Sequence, residues 1–203
     1  MRLAHRQGED RILTVPNGLT LVRLLCIPVF VWLLARPDRS GWYPAALLLG
    51  VLGLTDWIDG YVARHFHQVS TVGKVLDPLA DRLLLAVAAV SIIVVGALPG
   101  WVAVGVLSRE ILVAAGFVIV AALGGRRIDV QWAGKAGTFG LMWALPLFLI
   151  GHAPDNWHGI ALTLAYLSVI PALAFAWYAA ITYIPQARAA IAEGRRQHEE
   201  ASA

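Results

Sequence analysis

Four aspartates, Asp56, Asp59, Asp77 and Asp81, stand in the stretch LTDWIDGYVARHFHQVSTVGKVLDPLADRLLL of a chain that is otherwise strongly apolar. Asp56 and Asp59 are three residues apart, and Asp77 and Asp81 are four apart. On a helix either spacing puts both side chains on one face, one turn apart. Two consecutive helices would then each offer a pair of carboxylates, and antiparallel packing would let the four converge. Such a group of charges demands cations or protonation, because burying uncompensated carboxylates is costly. An all-oxygen donor set favours hard cations, Mg²⁺ or Mn²⁺. Two ions sharing carboxylates suit a reaction at phosphorus, since they clamp the phosphate and activate an attacking oxygen.

The neighbours agree with that chemistry. Gly60 and Ala63 are small enough to admit a ligand close to the backbone. Arg64 can pair with a phosphate, Gly73 breaks the intervening loop, and Pro78 suits the first turn of a following helix. The dipeptide Asp59-Gly60 also occurs in calcium loops, but the regularly spaced ligands and closing glutamate of an EF-hand are absent. His65 and His67 read as solvated, because the carboxylates already supply the ligands.

The elements that must position these residues are membrane spans. Of the 203 residues, 59% are hydrophobic and only 14% charged, against about 25% charged in an ordinary soluble domain. The apolar residues come in long blocks, and roughly 20 in a row cross a hydrocarbon core of about 30 Å. The predicted fold is an all-α integral membrane protein, a bundle of six transmembrane helices. The spans read as Leu19–Leu34, Pro44–Tyr61, Leu79–Val95, Trp101–Leu123, Trp132–Ile150 and Ile160–Ile184. Residues 1–18 form an N-terminal segment, 19–184 one membrane domain, and 185–203 a charged tail. The polar start reads as uncleaved, with a short interfacial helix around Asp10–Val15, since no small-x-small cleavage site follows the first apolar block.

Lys and Arg set the orientation. With the N-terminus inside, Arg2, Arg6, Arg11, Arg64, Lys74, Arg126, Arg127, Arg188, Arg195 and Arg196 lie on the inner side, and only Arg36 and Arg39 in outer loops. Both termini and the aspartate cluster are therefore expected at the cytoplasmic face. The net charge of +3 does not call for nucleic acid, and the single Cys26 excludes an internal disulfide.

The full pattern, Asp56-x₂-Asp59-Gly60-x₂-Ala63-Arg64-x₈-Gly73-x₃-Asp77-x₃-Asp81, resembles the signature of the CDP-alcohol phosphatidyltransferases at every fixed position. The resemblance implies transfer of a phosphatidyl group from a CDP-linked lipid such as CDP-diacylglycerol to an alcohol, with release of CMP. It implies that Asp56, Asp59, Asp77 and Asp81 hold metal, and that Asp81 also takes the acceptor's proton. Asp56, Gly60, Ala63, Arg64 and Gly73 would bind the CDP-lipid. A homodimer in the bacterial cytoplasmic membrane, among membrane lipids, is implied as well.

Other ionisable residues inside spans point to cavities or partners. Arg109, beside Glu110 in VGVLSREILVAAG, is read as meeting an anionic group of acceptor or donor. Lys135 and Arg23 are weaker candidates for the same acceptor site, as an interfacial lysine and an arginine able to snorkel. The run Leu107-Ser-Arg-Glu is similar to cardiolipin synthases, whose acceptor is phosphatidylglycerol. Phosphatidylglycerophosphate synthases, which use glycerol 3-phosphate, usually carry a second Arg-Glu pair where this chain has Phe117-Val-Ile-Val. The reading leans to the cardiolipin type. The rivals from other classes are an intramembrane prenyltransferase and a metal or lipid transporter. The first needs more spans, and the second is expected to hold its site near the midplane.

Overall fold

The structure is a computed structural model that describes the backbone at residues 15–66, 73–123, 132–153 and 157–202, and side chains within 18–55, 79–123, 132–153 and 157–193. The described residues form six helices and no strand. They are α1 (Val15–Leu34), α2 (Trp42–Phe66), α3 (Gly73–Val94), α4 (Gly100–Ala122), α5 (Trp132–His152) and α6 (His158–Ser202). The interfacial helix expected around Asp10–Val15 lies outside the described residues, except that Val15 opens α1.

Each apolar block coincides with a helix, overshooting it only by Val95 after α3 and Leu123 after α4, and several helices outrun their blocks. Backbone hydrogen bonding continues through polar turns that a hydropathy reading ignores. Thus α2 extends to Phe66 rather than Tyr61, and α3 begins at Gly73 rather than Leu79. Pro78 therefore stands in the second turn of α3, not the first, which corrects the expectation from sequence. The last helix runs unbroken past Ile184 to Ser202 with Pro171 and Pro185 inside it. At 1.5 Å per residue, its 45 residues reach about 68 Å, roughly twice a hydrocarbon core.

Helices α4, α5 and α6 contain stretches long and apolar enough to cross a bilayer, while Gly18–Leu34 and Trp42–Thr55 are shorter apolar helical stretches. Large apolar side chains point outward all around the bundle. Leu47, Val94, Ile111 and Val118 are each more than two-thirds exposed, a pattern that only a lipid solvent tolerates on this scale. Prolines inside α1, α5 and α6 agree, since helices packed in lipid re-satisfy the freed backbone groups. This is a membrane protein.

The core lies between the helices, with Phe30, Leu49, Leu84, Val106, Phe148 and Val169 all but fully buried. Helix α1 packs against both α2 and α3, α5 against α2, α3 and α6, and α4 against α3 and α6. Among the described residues α2 and α3 do not touch each other, so α1 and α5 are what hold their register. The tightest seam is α5 on α6. A Cβ at Gly137 would sit 2.7 Å from the Ala176 backbone nitrogen, and one at Gly140 2.7 Å from the Ala172 Cβ. Trp177 ties α6 to α4, its indole N–H donating to the Gly105 carbonyl at 3.1 Å.

The turn between α3 and α4 fixes how α3 is held. Gly96 has φ of 77°, its N–H bonds the Ile93 carbonyl and the Ala97 N–H bonds the Ile92 carbonyl, each at 3.0 Å. This is a Schellman termination with glycine in the left-handed position. A Cβ there meets nothing within 4 Å, so Gly96→Ala is expected to cost only the backbone penalty of about 1 kcal/mol. Thermal unfolding of the detergent-solubilised variant checks this; an unchanged midpoint would show that the turn does not limit stability.

Candidate functional site

The signature residues fall where two helices carry them. Asp56, Asp59, Gly60, Ala63 and Arg64 belong to α2, and Gly73, Asp77 and Asp81 to α3. Helical backbone at both pairs gives the register that the spacing called for. Of the four aspartates, only Asp81 has a described side chain; the side chains of Asp56, Asp59 and Asp77 lie outside the described residues, as do those of Ala63 and Arg64. Among the described residues no group of three metal-ligating side chains comes together.

Asp81 is held by a cation from another helix. The Arg23 guanidinium, in α1, donates to the Asp81 carboxylate across 58 residues of sequence. Arg23 is only 4% exposed and Asp81 21%. Thr20, one turn before Arg23 on α1, is buried too. A half-buried carboxylate against a buried guanidinium gives an excellent Coulombic match, but one whose desolvation is expensive. The position demands positive charge, and the structure meets the demand with an arginine. Arg23, one of three candidates for acceptor contact, thus lies at the Asp81 carboxylate.

Arg109 and Glu110 pair with each other and are 5% and 6% exposed. The pair is incomplete: among the described residues, Arg109 Nε and Glu110 Oε2 are buried without hydrogen-bond partners. Arg109 also approaches the start of α5, since a Cβ on Gly134 would lie 3.9 Å from its Nη2. Lys135, the next residue, is exposed. The three acceptor candidates therefore occupy different environments: Arg23 on Asp81, Arg109 in a buried pair, Lys135 in the open.

One participant escaped the sequence reading. Arg82, next to Asp81, lays its guanidinium over the Phe117 ring of α4 at 5.0 Å. Phe117 in turn meets Tyr183 of α6, with ring centres 5.2 Å apart, and the charges of Glu110 and Arg109 act on Arg82. Arg82 Nη1 is likewise buried without a hydrogen-bond partner among the described residues. The signal was available: an arginine opening the apolar run LLLAVAAV is as conspicuous in a membrane helix as Arg109 is. It was hidden by its position directly after the aspartate motif.

Comparison with known proteins identifies the family. Residues 13–184 match the CDP-alcohol phosphatidyltransferase family. The chain is 35% identical over 195 residues to a cardiolipin synthase (CMP-forming) of Streptomyces coelicolor, covering 90% of this chain and 86% of the relative. It is 34% identical to a putative cardiolipin synthase of Mycobacterium tuberculosis, covering 80% of this chain and 77% of the relative. It is also 33% identical to a CDP-diacylglycerol–glycerol-3-phosphate 3-phosphatidyltransferase of Bacillus subtilis, covering 69% of this chain and 78% of the relative. With the match running through all six helices and the signature intact on α2 and α3, this membrane enzyme belongs to the CDP-alcohol phosphatidyltransferase family.

Proposed function

We propose that this enzyme transfers the phosphatidyl group of CDP-diacylglycerol to a hydroxyl of phosphatidylglycerol, releasing CMP and forming cardiolipin. Asp81 takes the proton of the attacking hydroxyl. The new bond forms between that oxygen and the phosphorus bearing the diacylglycerol, and the bond from that phosphorus to CMP breaks, CMP leaving with the electron pair. Asp56, Gly60, Ala63, Arg64 and Gly73 bind the cytidine diphosphate part of the donor.

The observation that supports the reading is the half-buried Asp81 carboxylate on α3, which carries the second half of the signature, drawn against the Arg23 cation of α1. Such a group is placed to accept a proton and to bind positive charge. The donor set fits a hard cation: two carboxylates three apart on α2 and two four apart on α3, all oxygen. Asp56, Asp59, Asp77 and Asp81 would hold Mg²⁺ or Mn²⁺, as two ions. Bound there, the ions would supply charge neutralisation at the donor pyrophosphate.

The bundle reads as six spans with both termini and the aspartates at the cytoplasmic face of a bacterial cytoplasmic membrane, from the Lys and Arg bias, and as a homodimer. Glycerol 3-phosphate is the second acceptor reading, and the Bacillus relative favours it.

The test gives purified enzyme labelled CDP-diacylglycerol with each acceptor separately, and follows CMP and the lipid products. Release is expected with phosphatidylglycerol, to stop under a divalent-cation chelator and to restart when Mn²⁺ is added back. Release that persists in chelator would remove the metal from the site. Product with glycerol 3-phosphate alone would transfer the assignment to the second acceptor.

A further inference from the structure

The Asp81 chemistry leaves one buried polar cluster unused. Arg82 on α3 lies over Phe117 of α4, two turns beyond Glu110 on that helix, within electrostatic reach of the Arg109–Glu110 pair, and Tyr183 of α6 meets Phe117 at a tilt. Three of its atoms, Arg82 Nη1, Arg109 Nε and Glu110 Oε2, are buried without hydrogen-bond partners among the described residues. In an apolar bundle a buried polar atom without a partner is costly, so three in one cluster point to a ligand that completes them.

The unmet atoms specify that ligand. Two N–H groups call for an anionic oxygen, and one carboxylate oxygen calls for a hydroxyl. The ligand is therefore a hydroxyl-bearing phosphate. Its charge follows from the cluster's own: two arginines against one glutamate leave a single net positive charge on these three groups. A phosphodiester, singly negative, balances that charge. A phosphomonoester carries about −1.5 to −2 near neutral pH and would bring surplus negative charge against the same three groups.

We propose that Arg82, Arg109 and Glu110 form the subsite that reads the acceptor's phosphate, that their single net charge selects a phosphodiester over a phosphomonoester, and that Phe117 keeps the charge at that value. This rests on the transfer reading above and adds to it the basis of acceptor choice. Arg82 is adjacent to Asp81 in α3, so a phosphate held there keeps its glycerol hydroxyl near the base.

The test is a competition in which wild-type enzyme receives CDP-diacylglycerol with phosphatidylglycerol and glycerol 3-phosphate together, and the ratio of the two lipid products is measured. Glu110→Gln and Phe117→Arg each add one positive charge and are expected to shift the ratio toward the glycerol 3-phosphate product by about tenfold or more. Arg82→Gln removes one charge and is expected to raise KM for phosphatidylglycerol with KM for CDP-diacylglycerol unchanged. A second measurement needs no variant. Soluble glycerophosphoglycerol, a phosphodiester, should inhibit the wild-type enzyme at about tenfold lower concentration than glycerol 3-phosphate does. Equal inhibition, or CMP release with an unshifted product ratio in both charge-raising variants, overturns the charge-selection proposal alone. No CMP release by wild type with either acceptor would overturn the transfer reading and this one with it.

Discussion

Asp81→Asn is expected to lower CMP release by about 10² to 10⁴-fold, the range for losing a positioned general base, while binding of CDP-diacylglycerol stays measurable. The side chain keeps its size but no longer takes a proton. The substitution also leaves the buried Arg23 facing an amide instead of a carboxylate, and breaking a buried ion pair from one side commonly costs 3–5 kcal/mol. Lost activity alone does not separate lost chemistry from lost structure, and the double variant does. Asp81→Asn with Arg23→Gln removes both charges and should regain much of the thermal stability without regaining turnover. Recovery of CMP release in the double variant would remove Asp81 as the base and recast the ion pair as purely structural.

The second large effect lies on the seam between α5 and α6. Gly140→Ala is expected to destabilise by about 1–3 kcal/mol, the usual cost of overpacking, because its Cβ would meet the Ala172 Cβ at 2.7 Å. Adding Ala172→Gly removes that atom, and the next nearest contact is the Ala172 Cα at 3.5 Å. The pair should therefore be close to wild type in melting temperature. Gly137→Ala behaves differently. Its Cβ would meet the Ala176 backbone nitrogen and Cα at 2.7 and 2.8 Å, atoms that no substitution removes. Ala176→Gly should leave most of that damage in place. Rescue at both positions would mean that α6 shifts freely against α5, and the close seam would then be no constraint.

The helices were legible because their apolar blocks are long and contain few charges, and each block matches an observed helix to within a residue at the ends it overshoots. Helix ends were not, because hydrogen bonding carries α2 to Phe66 and α3 back to Gly73 through polar residues that no hydropathy reading counts. Spacing alone located the aspartates, since a period of three or four has one meaning on a helix. The Arg23 partnership was out of reach: 58 residues separate it from Asp81, and nothing local in NGLTLVR names a partner. Arg82 was missed for a different reason. Its neighbour Asp81 had already explained the motif, although a guanidinium in an apolar run requires its own account.

The ion pair between α1 and α3 also bears on how the chain is made. Arg23 emerges from the ribosome 58 residues before Asp81, so the first helix enters the bilayer before its counter-ion exists. A buried arginine is a load on an inserting helix, and α1 bears it until α3 supplies the counter-ion. The ion pair thus joins the first helix to the third across the order of synthesis as well as in space.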